Sequence, residues 1–152
     1  MLQINRSEDF WTSIVADPSV QGKLLMPTES FIESVTNPRV TPYSSENGGF
    51  LTIELGVGPI VEFHSVFTEK GRGREAFTAA CELAQILFSN HDLLVTYETE
   101  DPMSRPPLSF GFKTSDVIRT TRCGDLKLWY LTKTQWELSP VFRRITKCPR
   151  WS

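Results

Sequence analysis

The chain has 152 residues, of which 39% are hydrophobic, and it carries a formal net charge of −2 with a sequence pI near 5.7. This size suits one globular domain with its own core, and the slightly acidic balance argues against a nucleic-acid partner. No apolar stretch is long enough to cross a membrane and the first residues do not resemble a signal peptide, so we expect a cytoplasmic protein.

Cysteine and histidine are too scattered to predict a metal centre. The three cysteines, Cys81, Cys123 and Cys148, are odd in number and far apart, which favours reduced thiols. The two histidines, His64 and His91, belong to no Cys/His cluster, so the sequence predicts neither a structural nor a catalytic zinc.

The N-terminal part is predicted to form one strand and two helices. Residues 2–4 alternate briefly, as strands do. Ser7 precedes two acids and an apolar set at helical spacing, which predicts a helix to about Ala16 that Asp17-Pro18 ends. Thr28 is the predicted cap of a second helix, which ends before Pro38.

The next part of the chain has the period-two pattern of strands. Residues 39–44, 50–57 and 60–67 are the predicted strands. Asn47-Gly48-Gly49 predicts the turn between the first two, and Gly58-Pro59 predicts the turn of an antiparallel hairpin between the second and third.

A glycine turn, residues 68–73, joins the third strand to a predicted helix that runs to about Phe88. A strand, turn and helix in this order aim backbone N–H groups and the positive end of the helix dipole at an anion. Gly71 and Gly73 leave room beside the backbone, and three cations flank them: Lys70, Arg72 and Arg74. The sequence therefore predicts a phosphate-bearing ligand, although glycine and basic residues are also ordinary components of turns.

Two common phosphate motifs are excluded at this turn. It has no Gly-Lys-Ser/Thr, so it is not a nucleotide-triphosphate P-loop, and it has no third glycine to complete a dinucleotide fingerprint.

The chain after this helix is predicted to complete the sheet. Residues 92–98 form a strand that is parallel to the strand before the helix, through a right-handed crossover. A short helix is expected within residues 107–112. Residues 116–122 and 127–132 are a closing hairpin.

The end of the chain is basic. We divide the sequence into one domain, residues 1–138, and a C-terminal tail, residues 139–152, which carries four positive charges and no negative ones. The tail is either a solvated terminus or a docking segment for an acidic protein partner.

The order of elements resembles the GNAT superfamily of acyl-coenzyme A N-acyltransferases. The resemblance covers about Leu2 to Thr132 and is carried by the strand HSVF, the turn TEKGRGREA and Phe110-Gly111-Phe112. It implies an α+β fold with α/β/α layers. Its central sheet would be mixed and mostly antiparallel, with one parallel pair around the glycine-turn helix.

The resemblance also implies acetyl-coenzyme A as co-substrate, with its pyrophosphate held by backbone amides of the turn. The implied binding residues run from the end of the strand into the helix: Val66, Phe67, Lys70, Gly71, Arg72, Gly73 and Arg74. The family's turn reads Arg/Gln-x-x-Gly-x-Gly/Ala. When the two glycines are aligned with it, Thr68 takes the first position, whereas a shift by two residues puts Lys70 first and Glu75 last. Glu75 would then compete with a phosphate for the helix dipole.

Catalysis needs a base that deprotonates the acceptor amine. Glu62 and His64 are two residues apart on one predicted strand, so they share a face and are our candidates, directly or through water. The alternative is that His64 and Glu62 have a structural role only, as a hydrogen-bonded and a salt-bridged residue of the sheet. The family's tyrosine proton donor corresponds to Pro107, which leaves Tyr97, Tyr130 and Cys123 as substitutes that the sequence does not distinguish.

Two functions follow from the resemblance. The first is acyl transfer from acetyl-coenzyme A to an amine of a protein or small molecule. The second is a non-catalytic role in head assembly or in the virion of a tailed bacteriophage, through protein–protein binding in the host cytoplasm or the particle. The segments EKGRGREAF and SFGFKTSDVIRT are similar to that phage group, and the missing tyrosine and the basic tail favour the second function.

Overall fold

The computed structural model describes residues 1–24, 26–98, 106–121 and 124–147. Its centre is a seven-stranded sheet with the order β1-β2-β3-β4-β5-β7-β6. The strands are β1 Gln3–Ile4, β2 Val40–Ser45, β3 Gly48–Glu54, β4 Ile60–Phe67, β5 Leu93–Glu98, β6 Lys113–Thr121 and β7 Gly124–Thr132.

Six α-helices lie in the described part of the chain: α1 Glu8–Val15, α2 Pro18–Gln21, α3 Thr28–Thr36, α4 Arg74–Leu87, α5 Lys133–Glu137 and α6 Pro140–Lys147. Two short 3₁₀ turns, Glu69–Gly71 and Leu108–Phe110, follow β4 and precede β6. None of the described helices has the length and hydrophobicity needed to span a membrane.

The helices cover the two faces of the sheet. α1 and α3 bury Trp11 and Phe31 against one face, where Val66 of β4 also points. α4, α5 and α6 pack on the opposite face around Phe67 and Trp136. Alternation along β4 puts odd-numbered side chains toward α4 and even-numbered ones toward α1 and α3. The predicted α+β fold with α/β/α layers is confirmed.

β4 and β5 form the predicted parallel pair, but they are paired over only a short distance. The register joins Ile60 to Leu93, Val61 to Leu94 and Glu62 to Val95, and it ends there. β4 is paired along its other edge with β3 as far as Phe67, and β5 is paired with β7 as far as Glu98. Each strand is therefore held on its outer side while the two separate from each other.

The turn between β2 and β3 differs from the prediction. Glu46 and Asn47 form the turn, and the two glycines belong to β3. A Cβ atom at Gly48 would lie 2.2 Å from the Val66 carbonyl oxygen, and one at Gly49 would lie 2.0 Å from that of Tyr43. The glycines are therefore needed for the close approach of strands rather than for the turn.

Two helix signals near the N-terminus were also misinterpreted. Asp17-Pro18 begins a helix as well as ending one, because the Asp17 side chain caps α2 and Pro18 is its first residue. Thr28 is the first residue of α3 and not its cap. Pro27 holds the cap position, without a side-chain hydrogen bond.

The first half of the predicted tail is part of the domain. Residues 140–147 form α6, and Val141 and Ile145 are buried in the core beside α4 and α5. These residues are therefore not a solvated terminus. The remainder of the tail lies outside the described residues.

We expect Ile145→Ala to lower the free energy of unfolding by about 2 kcal/mol, because it empties a buried aliphatic site. Urea denaturation of the variant and the parent checks this. The control is Leu138→Ala, whose side chain is 62% exposed and whose change should stay within about 0.5 kcal/mol. Equal, small effects of both substitutions would contradict the packing of α6.

Candidate functional site

The turn after β4 leaves the N-terminus of α4 open. Gly73 caps the helix with φ 93° and ψ −120°, and an added Cβ atom would meet nothing within 4 Å. This backbone conformation favours glycine, since L side chains are strained there. The first four N–H groups of an α-helix have no acceptor within the helix, so the N–H groups at the start of α4 are available to an anion.

Gly71 has a structural role in the same turn. It is buried, and a Cβ atom there would lie 2.8 Å from Cβ of Asn47. Its N–H donates to the Thr68 carbonyl oxygen at 2.9 Å. Packing against the β2–β3 turn therefore explains this glycine without a ligand.

The three predicted cations divide into two kinds. Arg72 is half-buried and holds the turn against α2, since Nη2 donates to the Ser19 carbonyl oxygen at 2.7 Å and Nε to that of Phe67 at 3.2 Å. Lys70 and Arg74 are exposed and, with Arg72, line a depression of about 490 Å³ beside α4 that three glutamates also line: Glu46, Glu75 and Glu82. Lys70 and Arg74 are thus the exposed cations of the turn, whereas Arg72 is half-buried.

Glu75 does not compete for the helix N-terminus. Its Oε2 accepts from Ser45 Oγ at 2.9 Å and from the Asn47 N–H at 2.8 Å, and Oε1 accepts from Asn47 Nδ2 at 2.7 Å. Burial alone would raise the pKa of Glu75, but these hydrogen bonds and the charge of Lys70 outweigh it and lower the pKa below 4.5. The carboxylate is ionised and fixed to the β2–β3 turn.

A cleft of about 280 Å³ opens where β4 and β5 separate. Gly73 and Phe77 line one end of it, at the start of α4, and His64 and Tyr97 line it between the strands. Its walls come from both faces of the sheet, since the lining includes Phe31 of α3 as well as residues of α4. The strand separation therefore connects the helix N-terminus with the opposite face.

Glu62 and His64 form a hydrogen-bonded pair on the α1/α3 face. Nε2 of His64 lies 2.6 Å from Oε2 of Glu62, and the side chains are only 22% and 13% exposed. The hydrogen bond from His64 is the main influence that lowers the pKa of Glu62 below 4.5, against burial, and the charges of His64 and Arg119 add to it. An ionised Glu62 accepts a hydrogen from Nε2 of His64, which leaves Nδ1 as the ring nitrogen that Glu62 does not engage.

Arg119 was not predicted as a site residue. It reaches this face from β6, and its guanidinium carbon lies 5.5 Å from the centre of the Tyr97 ring. No sequence signal relates it to Glu62, because β7 and β5 lie between their strands.

The structure distinguishes between the candidates that could replace the missing tyrosine proton donor. Tyr97 lines the cleft, and Tyr130 is paired with Val95 in the neighbouring strand. Cys123 lies outside the described residues. Cys81 lies on the buried side of α4, where burial raises the pKa of its thiol to about 11, so it is protonated at neutral pH. Among the described residues, no group of three His, Cys, Asp or Glu side chains could hold a metal ion.

Solved structures with the same fold are acetyltransferases. Aminoglycoside acetyltransferase AAC(6′)-Ib in complex with coenzyme A superposes with a TM-score of 0.68 at 13% identity, over 90% of this chain and 96% of that one. A probable GNAT-family acetyltransferase from Chromobacterium violaceum gives 0.68 at 15%, over 90% and 88%. Mycobacterium smegmatis RimJ in complex with CoA-disulfide gives 0.67 at 14%, over 96% and 88%.

No protein-family model matches the sequence, and no curated protein matches it. The structural likeness is therefore a likeness of fold. The chain has the fold of the GNAT acetyltransferases, as its order of elements predicted. The assignment to a bacteriophage group stays a prediction.

We expect Glu75→Gln to destabilise the protein by about 1 kcal/mol at neutral pH, because a neutral amide replaces a hydrogen-bonded carboxylate. The pKa of Glu75 is lower in the folded than in the unfolded state, so its contribution is complete above 4.5 and is lost as the pH falls through the folded value. Urea denaturation at a series of pH values checks this. The difference from the parent should shrink in acid, whereas the exposed control Glu33→Gln should differ little at any pH. A pH-independent difference would argue against the ionised turn contact.

Proposed function

We propose that the protein binds acetyl-coenzyme A and transfers its acetyl group to an amine. The observation that best supports this proposal is the cleft. It begins at the open N-terminus of α4 beside Gly73 and reaches His64 of the Glu62–His64 pair. One end of this path suits a pyrophosphate and the other offers a base.

The residues around the turn fit the coenzyme at the start of α4. The amides of the first helical turn, from Gly73 onward, would bind the pyrophosphate, and Lys70 and Arg74 would add positive charge. Val66 and Phe67 line the cleft between the strands, where the extended arm of the coenzyme would lie. Two of the proteins with this fold were solved with coenzyme A or its disulfide, which supports the same ligand here. Arg72 acts by holding the turn.

The Glu62–His64 pair supplies the base in this proposal. Glu62 accepts the Nε2 hydrogen of His64 and orients the ring, and Nδ1 takes a proton from the acceptor ammonium, directly or through water. The amine nitrogen then attacks the thioester carbonyl, an amide C–N bond forms, the C–S bond breaks, and the nitrogen loses its second proton to water. The leaving thiolate takes a proton, for which Tyr97 in the cleft is our candidate donor.

A role in protein binding is the second candidate function. Arg143 and Arg144 are exposed on α6, while Val141 and Ile145 anchor the helix in the core. This arrangement presents two cations on a rigid element, which suits an acidic protein surface. It is compatible with a head-assembly or virion role, and it needs neither the coenzyme nor the base.

We expect acetyl-coenzyme A to raise the thermal unfolding midpoint by several degrees. A ligand at 100 times its Kd stabilises the folded state by about 2.7 kcal/mol. Gly73→Glu should abolish the rise, because it puts a carboxylate at the helix N-terminus. Gly73→Ala shares the backbone strain without the charge and should retain part of the rise. Gly22→Glu, an exposed position with φ −79°, should retain all of it. No rise in the parent at millimolar ligand would sink the enzymatic proposal and leave protein binding as the function to pursue.

We expect His64→Ala and Glu62→Gln to lower kcat for acetyl transfer by about 10²-fold or more, because removing a general base or its orienting partner has effects of this size. Neither should abolish the thermal stabilisation by acetyl-coenzyme A, because the proposed pyrophosphate site lies at Gly73 and the start of α4. Steady-state release of free thiol, together with thermal unfolding, checks both parts. Activity unchanged in both variants would make the pair structural.

A further inference from the structure

We propose that the site takes acyl groups longer than acetyl, with a linear alkyl chain held in an apolar extension of the cleft beneath the sheet. This inference rests on the proposed function, since it needs the coenzyme in the cleft, and it adds the chemical class of the acyl donor. We call the extension the deep end of the cleft. Four side chains define it: Leu83 and Ala84 of α4, Leu94 of β5 and Leu131 of β7.

The deep end belongs to the core on the α4 face of the sheet. Its four side chains line the cleft and are members of the same hydrophobic cluster. Leu83 is 3% exposed, Ala84 and Leu94 are 2% exposed, and Leu131 is 0% exposed. An alkyl chain in contact with them would be removed from water along its length, which favours binding in proportion to the apolar surface buried.

The register of the sheet places the deep end beyond the proposed base, as seen from Gly73. β4 and β5 stay paired up to Glu62 and separate from there toward the glycine turn. His64 lies in the separated part, whereas Leu94 is paired with Val61 in the part that stays together. A coenzyme arm that enters from Gly73 has its thioester in the separated part, so the deep end is left to the group that follows the thioester carbonyl.

The two faces of the sheet separate the acyl chain from the amine. His64 is on the α1/α3 face, from which the amine would approach, and the deep end is on the α4 face. A longer chain therefore does not obstruct the acceptor. The reaction is the same as for acetyl: the amide C–N bond forms, the C–S bond breaks, the thiolate is protonated and the nitrogen loses its protons. Only the substituent on the carbonyl carbon differs.

Helix α4 gives the scale of the cleft on this face. Phe77 lines it near the glycine turn, Ala80 lines it further along, and Ala84 lines the deep end. The seven helical residues from Phe77 to Ala84 span about 10 Å, at roughly 1.5 Å per residue. An acetyl group has one methyl beyond its carbonyl carbon. It would forgo the dispersion contacts that a longer chain makes with the deep end.

The first test measures the Kd of coenzyme A and of its acetyl, butanoyl and hexanoyl thioesters by isothermal titration calorimetry, without an amine. Each buried methylene is worth about fourfold in affinity when burial is complete. We expect the Kd to fall at each step and to be about tenfold or more lower for hexanoyl- than for acetyl-coenzyme A. An equal or higher Kd for the longer thioesters overturns the proposal.

A substitution in the deep end provides the second arm. Ala84→Leu should remove the advantage of hexanoyl- over acetyl-coenzyme A and leave the Kd of the acetyl thioester within about twofold, because only the longer chain reaches this residue. Ser89→Leu adds the same side chain at an exposed position just after α4 and should keep the advantage. Unfolding without ligand confirms that each variant is folded, and Ala84→Val is the smaller change if Ala84→Leu is not. An advantage that persists in a folded Ala84 variant overturns the assignment of the deep end.

Thermal unfolding and release of free thiol to a panel of primary amines distinguish the two failures. Stabilisation and thiol release with acetyl-coenzyme A, but no gain with chain length, contradict the donor class and leave acetyl transfer standing. If none of the thioesters stabilises the protein and none releases thiol, the proposed function fails and the donor proposal falls with it.

Discussion

The early end of the β4–β5 pairing is the constraint on which the site depends. Three residue pairs join the strands, and beyond Glu62 and Val95 each strand is held only by its outer neighbour. The separation costs backbone pairing, but it opens the sheet where side chains of both faces line one cleft. A sheet paired along its whole length would keep the N-terminus of α4 and His64 on opposite sides of a continuous wall.

The charged residues of the glycine turn show how the start of α4 is kept open. Glu75 would oppose an anion if it faced the helix N-terminus, but three hydrogen bonds direct its carboxylate to the β2–β3 turn. Arg72 is likewise directed away, to carbonyl oxygens of β4 and of α2. These contacts fix the backbone around Gly73, so the amides that follow it are arranged before any ligand arrives.

Local pattern predicted the order of elements, the strand–turn–helix unit and the common face of Glu62 and His64, because each depends on residues close in the chain. Features that depend on distant contacts were not predictable. Gly71 was interpreted as room for a phosphate, and only the position of Asn47 shows that it is a packing glycine. The burial of Val141 and Ile145 could not be predicted either, because it depends on a core assembled from the rest of the chain. The basic charge of that segment suggested a tail.

Arg119 is a second feature that depends on distant contacts, on the face of the sheet that carries Glu62 and His64. Its charge helps to keep Glu62 ionised, and its position over the Tyr97 ring depends on how the β6–β7 hairpin is docked against β5. The register between β6 and β7 shifts between Thr114 and Ile118, so Arg119 lies on the side of the shift next to the end of the hairpin. A residue of the edge strand thus adds a smaller contribution to the lowered pKa of Glu62, after the hydrogen bond from His64. The proposed base would therefore be a property of the assembled sheet, in which β4 provides both side chains and Arg119 of β6 adds positive charge near Glu62.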